Sequence, residues 1–230
     1  MKSTSLLQQA KQYIVDELER FYKERIQSSD DVISQKALEK INGDDVIITF
    51  GHSSVILKVL TEAAKKHPKL SVIIVDSRPK FEGREMLRKL MRSCPSLSCS
   101  YVFINSISYV MPLATKVLVG AYAVLANGHV MSRIVCCETY KFASRMQTDS
   151  YVSNELGDSK QLMNINNRAG PLSDIASRPN LHVLNICYDV TPPDYVTGLI
   201  TETAVIPCTS APVVIRVKQQ YNIVNMKPYA

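Results

Sequence analysis

The sequence contains no hydrophobic run long enough to cross a bilayer, because none reaches the roughly 18 apolar residues that a membrane helix requires. No Cys-x-x-Cys pair occurs, and no cysteine lies beside a histidine at metal-ligand spacing, so the common zinc motifs are excluded. A P-loop, a nucleophile triad, a basic tract with interleaved aromatics, internal repeats and low-complexity segments are also absent. We therefore expect a globular protein without a metal, a cofactor or a dedicated nucleic-acid surface.

The composition is ordinary for a globular domain, since the 230 residues are 46% hydrophobic and 21% charged. The net charge of +6 comes from basic residues that are scattered and often adjacent to acids. Six cysteines without a pairing motif are expected to be buried free thiols in a reducing compartment. The acidic amphipathic stretch after Met1 does not have the pattern of a secretory signal. The sequence therefore predicts a cytosolic protein.

The first 43 residues predict a helical segment. Apolar residues recur there at three- and four-residue spacing, which places one apolar stripe on a charged helix. The Ser28-Ser29-Asp30 segment predicts a break and a cap, followed by a shorter helix over 32–41. The stripe packs either on the chain's own domain or on another subunit, and the sequence leaves both open. It consists of Leu7, Ala10, Ile14, Leu18 and Phe21.

From residue 44 onward, apolar strands alternate with helices. Strands that are apolar on both faces indicate a parallel sheet covered by helices on both sides. We predict a doubly wound, mostly parallel, Rossmann-like α/β domain over 44–220, with the helical segment 1–43 as an N-terminal appendage and a tail over 221–230. In such sheets the loops at the carboxyl ends of the strands converge on the ligand site. The predicted strands are 46–50, 70–75, 101–104, 117–119, 182–186 and 213–215, the helices are 53–66 and 82–92, and the loops are 51–54, 76–84, 120–122 and 189–194.

One connection is too short for this fold. Residues 117–125 and 134–137 both predict strands, yet only 126–133 lie between them, whereas a parallel crossover needs about a dozen residues and usually a helix. Two explanations stay open. Asn127-Gly128 is a strong hairpin signal and favours a local antiparallel pair. Alternatively, a crossover helix that related chains possess is missing near 126–134.

A set of short segments carries a resemblance to a known family. The segments are 75–79, 82–84, 125–128, 130–133, 135–142, 153–156, 188–193, 200–202 and 206–210. Together they resemble the delta subunits of eukaryotic initiation factor 2B over about residues 46–218. The segments 125–128 and 188–193 are shared with methylthioribose-1-phosphate and ribose-1,5-bisphosphate isomerases of the same superfamily, whereas 135–142 and 153–156 are typical of delta subunits.

The chain differs from the delta subunits that it resembles in two ways. Delta subunits carry a crossover helix between the equivalents of Arg133 and Val135, so correct folding around 126–142 is in question. They also carry a long polar region and further helices before the part that matches this chain. The chain is therefore expected to be a truncated or alternative form.

The isomerase relatives raise the alternative of an aldose-to-ketose conversion. In that family a Cys after the first strand of the α/β domain and an Asp in a Gly-Ala-Asp segment carry the proton transfers. The matching positions are Gly51, which has no side chain, and Tyr122, whose ordinary pKa of about 10 makes it a poor replacement for a carboxylate. We expect no catalytic residue. His52 is a candidate substitute base, although a lone histidine in such a loop is more often structural.

A phosphate or other ligand could bind the loop after the second strand. The resemblance implies that Arg78 and Arg84, which flank Pro79 and Gly83, help to hold a phosphate, and a guanidinium suits phosphate oxygens. The competing interpretation is that the two arginines pair with Asp76 or Glu82 and only fix the loop. Glu82 and Asp189 complete the candidate set, and Asp189 is expected to cap the next helix or orient its own loop.

The resemblance implies a non-catalytic regulatory subunit of the guanine-nucleotide exchange factor for initiation factor 2. Its expected partners are the beta subunit first, then the alpha, gamma and epsilon subunits, and initiation factor 2 with its phosphorylated alpha subunit, without a nucleic acid or a membrane. One alternative is a degenerate form that does not assemble fully, and a weaker one is a sugar-phosphate isomerase. The residues proposed for the subunit interface are Ser153, Asn154, Glu155, Leu156, Val213, Ile215 and Val217.

Overall fold

The structure is a computed structural model that describes residues 2–131, 135–163 and 180–225. Within these residues, no helix is long and apolar enough to cross a membrane. All six cysteines lie in the described part and all are free thiols, four of them buried. Burial raises the pKa of Cys136 to about 12, so this thiol is held in its neutral form.

The N-terminal segment is one continuous helical arm. Helix α1 (Lys2–Phe21) runs through a π-helical stretch (Tyr22–Gln27) directly into α2 (Ser28–Leu38). The predicted break at Ser28-Ser29-Asp30 is therefore wrong. The physical reason is that the Ser29 hydroxyl donates a hydrogen bond back to the Arg25 carbonyl at 2.7 Å, four residues earlier, and so acts within the helix rather than as a cap.

The two parts of the arm differ in burial. The apolar stripe of α1 is largely exposed, with Leu7 59%, Ile14 57% and Leu18 62% accessible. At the end of the helix, the Phe21 and Tyr140 rings meet edge-on, with their centres 6.4 Å apart. In α2, by contrast, Ile33 and Ala37 are fully buried against helix α3 (Ser54–Lys66). The alternative that the stripe packs on its own domain is not what the structure shows.

The first sheet confirms the predicted α/β fold. Strands β1 (Val46–Phe50), β2 (Ser71–Asp76), β3 (Ser98–Phe103) and β4 (Lys116–Val117) form a parallel sheet in the order β3-β2-β1-β4. Helices α3 (Ser54–Lys66) and α4 (Glu82–Ser93) are the connections, close to their predicted bounds. The central strands β1 and β2 bury both faces, one in the core with α2, α3 and α4 and the other beneath the short helix α5 (Ile107–Val110). The edge strand β3 is partly exposed.

The short connection contains a hairpin. Strands β5 (Val119–Gly120) and β8 (Val135–Cys136) pair in parallel, and between them β6 (Ala123–Leu125) and β7 (Val130–Met131) pair antiparallel. Gly128 supplies the φ of +80° that the turn requires, and a Cβ there would lie 3.2 Å from the Cys208 carbonyl oxygen. An antiparallel hairpin does form at Asn127-Gly128, but it joins 123–125 to 130–131, whereas the predicted strand at 134–137 pairs in parallel with β5. The described residues of this connection, 121–131, include no helix. That related chains have a helix here stays a prediction.

The second half consists of very short strands. β8 also pairs in parallel with β12 (Leu199–Ile200), which pairs antiparallel with β13 (Val205–Ile206). β9 (Phe142–Ala143) joins β6 in parallel, and β10 (Leu156–Gly157) pairs antiparallel with β11 (Asn185–Ile186), which is all that forms of the predicted strand 182–186. A short helix, α6 (Lys160–Met163), follows β10.

The predicted strand 213–215 is wrong, because these residues belong to helix α7 (Ala211–Asn225). Pro212 lies in the first turn, where its missing N–H has no helical partner to lose. Ala211 and Ile215, one turn apart, are buried in the second core with Leu199 and Cys208. Helical spacing of these two buried residues therefore overrides the β-branched composition of the run.

Candidate functional site

Three of the four predicted loops meet at the carboxyl ends of β1, β2 and β5. Gly51 has a φ of +62°, and a Cβ there would lie 3.7 Å from the Glu82 carboxylate. A Cβ at Gly83 would collide with the Asp76 side chain, and one at Gly120 would collide with the Ser53 hydroxyl. The chain therefore needs glycine at these points for the loops to approach one another. The convergence of 51–54, 76–84 and 120–122 is confirmed.

The fourth loop is attached through a stacked pair of tyrosines. The Tyr122 and Tyr188 rings lie 3.9 Å apart at 17°. Burial, followed by the nearby Glu155 carboxylate, raises the pKa of Tyr188 to about 12. The stack therefore joins loop 120–122 to the residue just before loop 189–194 as a neutral aromatic contact.

The two predicted arginines share one aromatic ring. The guanidinium carbon of Arg84 lies 4.2 Å from the centre of the Phe81 ring, and that of Arg78 lies 5.9 Å from it. Phe81 has a φ of +52°, a left-handed conformation that is rare for a bulky residue, at the start of α4. This strained position places its ring within reach of both cations.

Neither arginine pairs with Asp76 or Glu82 in the structure, so the interpretation that such pairs fix the loop is not supported. Asp76 is 1% exposed and accepts hydrogen bonds from the Ser77 amide at 2.9 Å and the Tyr101 hydroxyl at 2.7 Å. Burial, together with this bond to Asp76, raises the pKa of Tyr101. The Arg84 Nε donates to the same hydroxyl at 3.4 Å, a weak bond. Among the described residues, both guanidinium groups lack a carboxylate partner.

Asp189 does not join the arginines. Its carboxylate accepts hydrogen bonds from the Ser150 hydroxyl at 2.9 Å and its neighbour's amide, Val190, at 2.8 Å. The following 3₁₀ turn, Pro193–Tyr195, begins without a side-chain cap. Asp189 therefore orients its own loop, which is one of the two roles that the sequence predicts for it, and it does not cap.

His52 sits beside the carboxyl end of β1 and contacts a cation. Its Nε2 lies 3.2 Å from the Lys89 ammonium, which pairs with Glu85 at 2.6 Å. An ammonium has only donors, so the Nε2 that faces it must accept, and its lone pair is occupied. This arrangement does not favour His52 as a free base. The described residues contain no group of three or more His, Cys, Asp or Glu side chains that could hold a metal ion.

A model of the initiation factor 2 subunit family matches residues 1–208. The chain belongs to this family. It is 38% identical over 236 residues to the translation initiation factor eIF2B subunit delta of Schizosaccharomyces pombe, covering 93% of this chain and 50% of that protein. The delta subunit of Dictyostelium discoideum is 39% identical over 228 residues, covering 90% of this chain and 36% of that protein. The chain thus spans half or less of the length of these delta relatives.

The chain is also similar to a protein with another name and to solved structures. The ribose 1,5-bisphosphate isomerase of Pyrococcus furiosus is 28% identical over 200 residues, covering 76% of this chain and 59% of that protein. Among solved structures, a subunit delta from A. fulgidus superimposes with a TM-score of 0.69 at 20% identity, covering 88% of this chain and 65% of that one. A chain of the tetrameric eIF2B-beta2-delta2 complex from C. thermophilum gives 0.66 at 23% identity, covering 85% and 62%. These structures confirm the fold.

The interface residues predicted for an initiation factor 2B subunit fall into three groups. Val213 and Val217 are 61% and 54% exposed, one turn apart on the outer face of α7. Ser153, Glu155 and Leu156 are exposed too. Ile215 is only 9% exposed and packs in the second core, so the prediction that it faces a partner is corrected. Asn154 is half-buried and braces the backbone, donating to the carbonyls of Ser150 at 2.9 Å and Tyr188 at 2.6 Å.

The delta-type segment 135–142 meets the helical arm along a polar seam that sequence reasoning missed. Lys36 of α2 donates to the carbonyls of Thr201 at 3.2 Å and Glu202 at 2.7 Å. The Glu202 carboxylate accepts from the Thr139 amide at 3.0 and 3.1 Å and from the Thr139 hydroxyl. The Lys36 contacts span 165 and 166 residues of sequence and the Thr139 contacts span 63, so neither set has a local signal. The seam fixes α2, and with it the arm, to the second half of the domain.

A pair of acids lies within the same seam. Glu138 is 2% exposed and forms an ion pair with Lys141 at 2.7 Å. Burial, followed by the nearby Glu138 charge, raises the pKa of Asp30 in α2 to about 6. Lys58 and Lys141 oppose this shift. Asp30 therefore takes up a proton at a higher pH than an ordinary aspartate.

Proposed function

We propose that this chain is a non-catalytic regulatory subunit of initiation factor 2B, the exchange factor for initiation factor 2. It would act by assembling with other subunits and by taking part in sensing the phosphorylated factor. The observation that carries this proposal is the exposed apolar and polar surface of α7 and of residues 153–156, on a chain whose relatives with 38–39% identity are delta subunits. In this role the chain would work in the cytosol.

Subunit pairing is the first part of the proposal. A solved delta relative occurs in a complex with beta subunits, and we propose a beta-type subunit as the first partner of this chain. Val213 and Val217 offer apolar contact area one turn apart, and Ser153, Glu155 and Leu156 offer a mixed rim, which is the composition of ordinary non-obligate interfaces. The alpha, gamma and epsilon subunits and initiation factor 2 would follow through the assembled complex.

Binding of a phosphorylated group is the second part. Arg78 and Arg84 flank the Phe81 ring without a carboxylate partner, so their charge is free to meet an anion. A guanidinium pair binds phosphate oxygens through two parallel hydrogen bonds each. Glu82 beside Gly51 would set the polar edge of this site. We propose this loop as a site for a phosphorylated regulatory ligand, without turnover.

Absence of catalysis is the third part. Gly51 has no side chain, Tyr122 is stacked on Tyr188, and the Lys89 ammonium lies 3.2 Å from the Nε2 of His52. The correspondence of these positions with the isomerase Cys and Asp remains a prediction. Conversion of ribose 1,5-bisphosphate by the purified chain, abolished by His52→Ala, would overturn this part.

Co-expression with a beta subunit, followed by affinity purification and native mass spectrometry, tests the proposal. We expect a stable complex that contains both chains. Recovery of this chain alone, soluble and folded, would contradict the subunit role. It would favour the alternative that the connection at 121–134 yields a form that folds but does not assemble.

A further inference from the structure

Strand β3 forms an open edge of the first sheet. In the order β3-β2-β1-β4, no described residue pairs with β3 on the side that faces away from β2. The strand has six residues, Ser98–Phe103, and all six pair with β2 in an unbroken parallel register. No strand of the described residues is longer. The free side of β3 is therefore a full-length template for another strand.

The hydrogen bonds of β2 show which of its residues point toward β1. The Ser71 amide donates to the Asp45 carbonyl at 3.1 Å. The Val75 carbonyl accepts a hydrogen bond from the Gly51 amide at 2.9 Å. Successive residues of a strand point their N–H and C=O groups to opposite sides. The residues of β2 that alternate with Ser71 and Val75 therefore point toward β3.

The parallel register then identifies the outward groups of β3. The residues of β3 that bond to β2 are every second one, beginning at Ser98. The backbone amides of the remaining residues point away from the sheet. These are the amides of Cys99, Tyr101 and Phe103.

The edge has none of the features that usually prevent pairing with another strand. Charged side chains, prolines, bulges and short length are the common ways to protect a sheet edge. Residues 93–115 contain no charged side chain, and β3 contains no proline. The register with β2 has no bulge. The edge therefore remains available for pairing.

One flank of helix α4 lies beside this edge. The Arg84 Nε donates to the Tyr101 hydroxyl at 3.4 Å, which places this flank next to β3. Lys89 contacts His52 in the loop after β1, and so it lies on the opposite flank. Arg88 follows Arg84 by one helical turn and therefore lies on the flank beside β3.

The surface around the edge is basic. Residues 76–93 carry six basic and three acidic side chains, a net charge of +3. Of the three acids, Asp76 is 1% exposed and bonded to Tyr101, and Glu85 pairs with Lys89 at 2.6 Å. Glu82 lies near Gly51, at the loop after β1. Neither arginine of the flank forms an ion pair among the described residues.

The alternation of an extended strand defines the segment that this edge fits. Side chains on one face of an added strand lie on the α4 side of the sheet, where the arginines favour carboxylates. Side chains on the other face lie on the α5 side, where Val102 packs with the apolar residues of the second face. A segment with alternating acidic and apolar residues therefore matches both faces.

We propose that the β3 edge binds an extended acidic segment of a partner protein, which adds a strand to the sheet. Backbone hydrogen bonds to β3 supply affinity, and carboxylates that meet Arg84 and Arg88 supply specificity. A second copy of this chain fits less well, because it would bring its own arginines to the same edge. The surface is separate from the interface residues proposed above, and the inference does not depend on them.

Binding of a synthetic peptide to the purified chain tests the proposal. The probe is a capped, fluorescently labelled peptide of alternating glutamate and valine, as long as β3, and fluorescence anisotropy measures its binding. We expect a matched peptide with lysine in place of glutamate to bind about tenfold more weakly or worse. Equal binding of the two peptides would overturn the acidic character of the segment.

Methylation of the peptide's backbone tests strand pairing, because it removes donors and keeps the side chains. Methylating either the glutamate amides or the valine amides should abolish binding, according to the direction of the added strand. Binding that survives both modifications would overturn the pairing.

A charge reversal tests the flank of α4. Arg88→Glu should bind the acidic peptide about tenfold more weakly than the wild type. Lys66→Glu, the same change of charge at an exposed residue of α3, is the matched control and should bind like the wild type. Equal binding by the two variants would overturn the role of the arginine.

Hydrogen exchange measured by nuclear magnetic resonance locates the peptide without any substitution. The amides of Cys99, Tyr101 and Phe103 should become protected when the peptide binds. Binding without this protection, or no binding to the wild type, would overturn the proposal. Sedimentation of the chain alone covers the remaining occupant. Self-association that Cys99→Pro abolishes would assign the edge to a second copy and would also overturn the proposal.

Discussion

The first half of the domain, residues 46–120, and the second half, residues 135–225, are held together in different ways. At the centre of the first half, strands β1 and β2 have five and six residues, and both of their faces are buried beneath helices. The second half pairs strands of two residues each, and side-chain hydrogen bonds to the backbone join its loops. Hydrophobic pattern specifies the first half, whereas individual polar residues specify the second. Stability and recognition are therefore expected to depend on different kinds of residue in the two halves.

The largest effect on the free energy of unfolding is expected from a cavity in the first half. Leu60 of α3 is fully buried, and Leu60→Ala should lower the free energy of unfolding by about 2–5 kcal/mol. Leu113→Ala, at a residue 63% exposed, is the matched control and should change it by less than about 0.5 kcal/mol. Urea unfolding monitored by circular dichroism measures both. Equal effects would mean that the first half lacks the close packing described.

The stability of the second half should depend most on side-chain hydrogen bonds to the backbone. Asn154→Ala leaves the Tyr188 amide and two carbonyls without their partner, at a cost of about 1–3 kcal/mol. The Tyr188 amide should exchange its hydrogen faster, while the amides of β1 and β2 stay protected. Asn105→Ala, at an exposed asparagine, should change neither rate. Uniformly faster exchange in both halves would show that the halves do not differ as proposed.

The comparison also explains which features the sequence could predict. Helices α3 and α4 and strands β1 and β2 follow from local apolar periodicity and were predicted. The Asn127-Gly128 hairpin follows from turn chemistry and was one of two alternatives that the sequence left open. The strand expected at 213–215 is a helix because burial of Ile215 one turn after Ala211 depends on the second core. Local sequence does not contain that information.

The candidate sites, too, combine features that the sequence predicts with features that it does not. The converging loops and the two arginines follow from motif and topology. Other contacts link residues whose pairing has no periodic signal in the sequence. These are the contact of the Phe81 ring with the arginines, the hydrogen bond from Asn154 to Tyr188 and the hydrogen bond from Lys36 to Glu202. The one available signal for the hydrogen-bonded loop 149–154 is a run of Asp, Ser and Asn that encloses Tyr151 and Val152.

The acid pair at the seam should make the stability of the chain depend on pH. Because the pKa of folded Asp30 is raised to about 6 from an unfolded value of 3.8, the folded state binds the extra proton between these values. Its contribution to stability is thus fully present below about pH 4 and is lost as the pH rises through about 6. The loss should be about 1 kcal/mol, because solvent screens a partly exposed group.

Asp30→Asn should remove this slope, and the variant should be at least as stable as the wild type at pH 7.5. The neutral amide no longer places a second charge beside Glu138. Urea unfolding from pH 4 to 7.5 measures the difference between the two proteins. Asp194→Asn, at an exposed carboxyl, is the control. An unchanged slope in Asp30→Asn would contradict the assignment.

The smallest effect is expected in the arm. Leu18 of α1 is 62% exposed, so Leu18→Ala should change the free energy of unfolding by less than about 0.5 kcal/mol. Ile33→Ala in α2, which is fully buried, is the matched contrast and should cost several times more. A large loss at Leu18 would show that the stripe packs on the domain after all.

Hydrogen exchange of the isolated chain tests most directly whether the short connection forms its hairpin and whether the second half is folded. The Leu125 amide donates to His129 at 2.8 Å, and the Val130 and Thr191 amides bond to each other's carbonyls at 3.0 and 2.8 Å. We predict that these three amides exchange far more slowly than those of an unstructured peptide. Exchange at the unstructured rate, with β1 and β2 still protected, would contradict the folded second half and identify the chain as a form unable to present its interface.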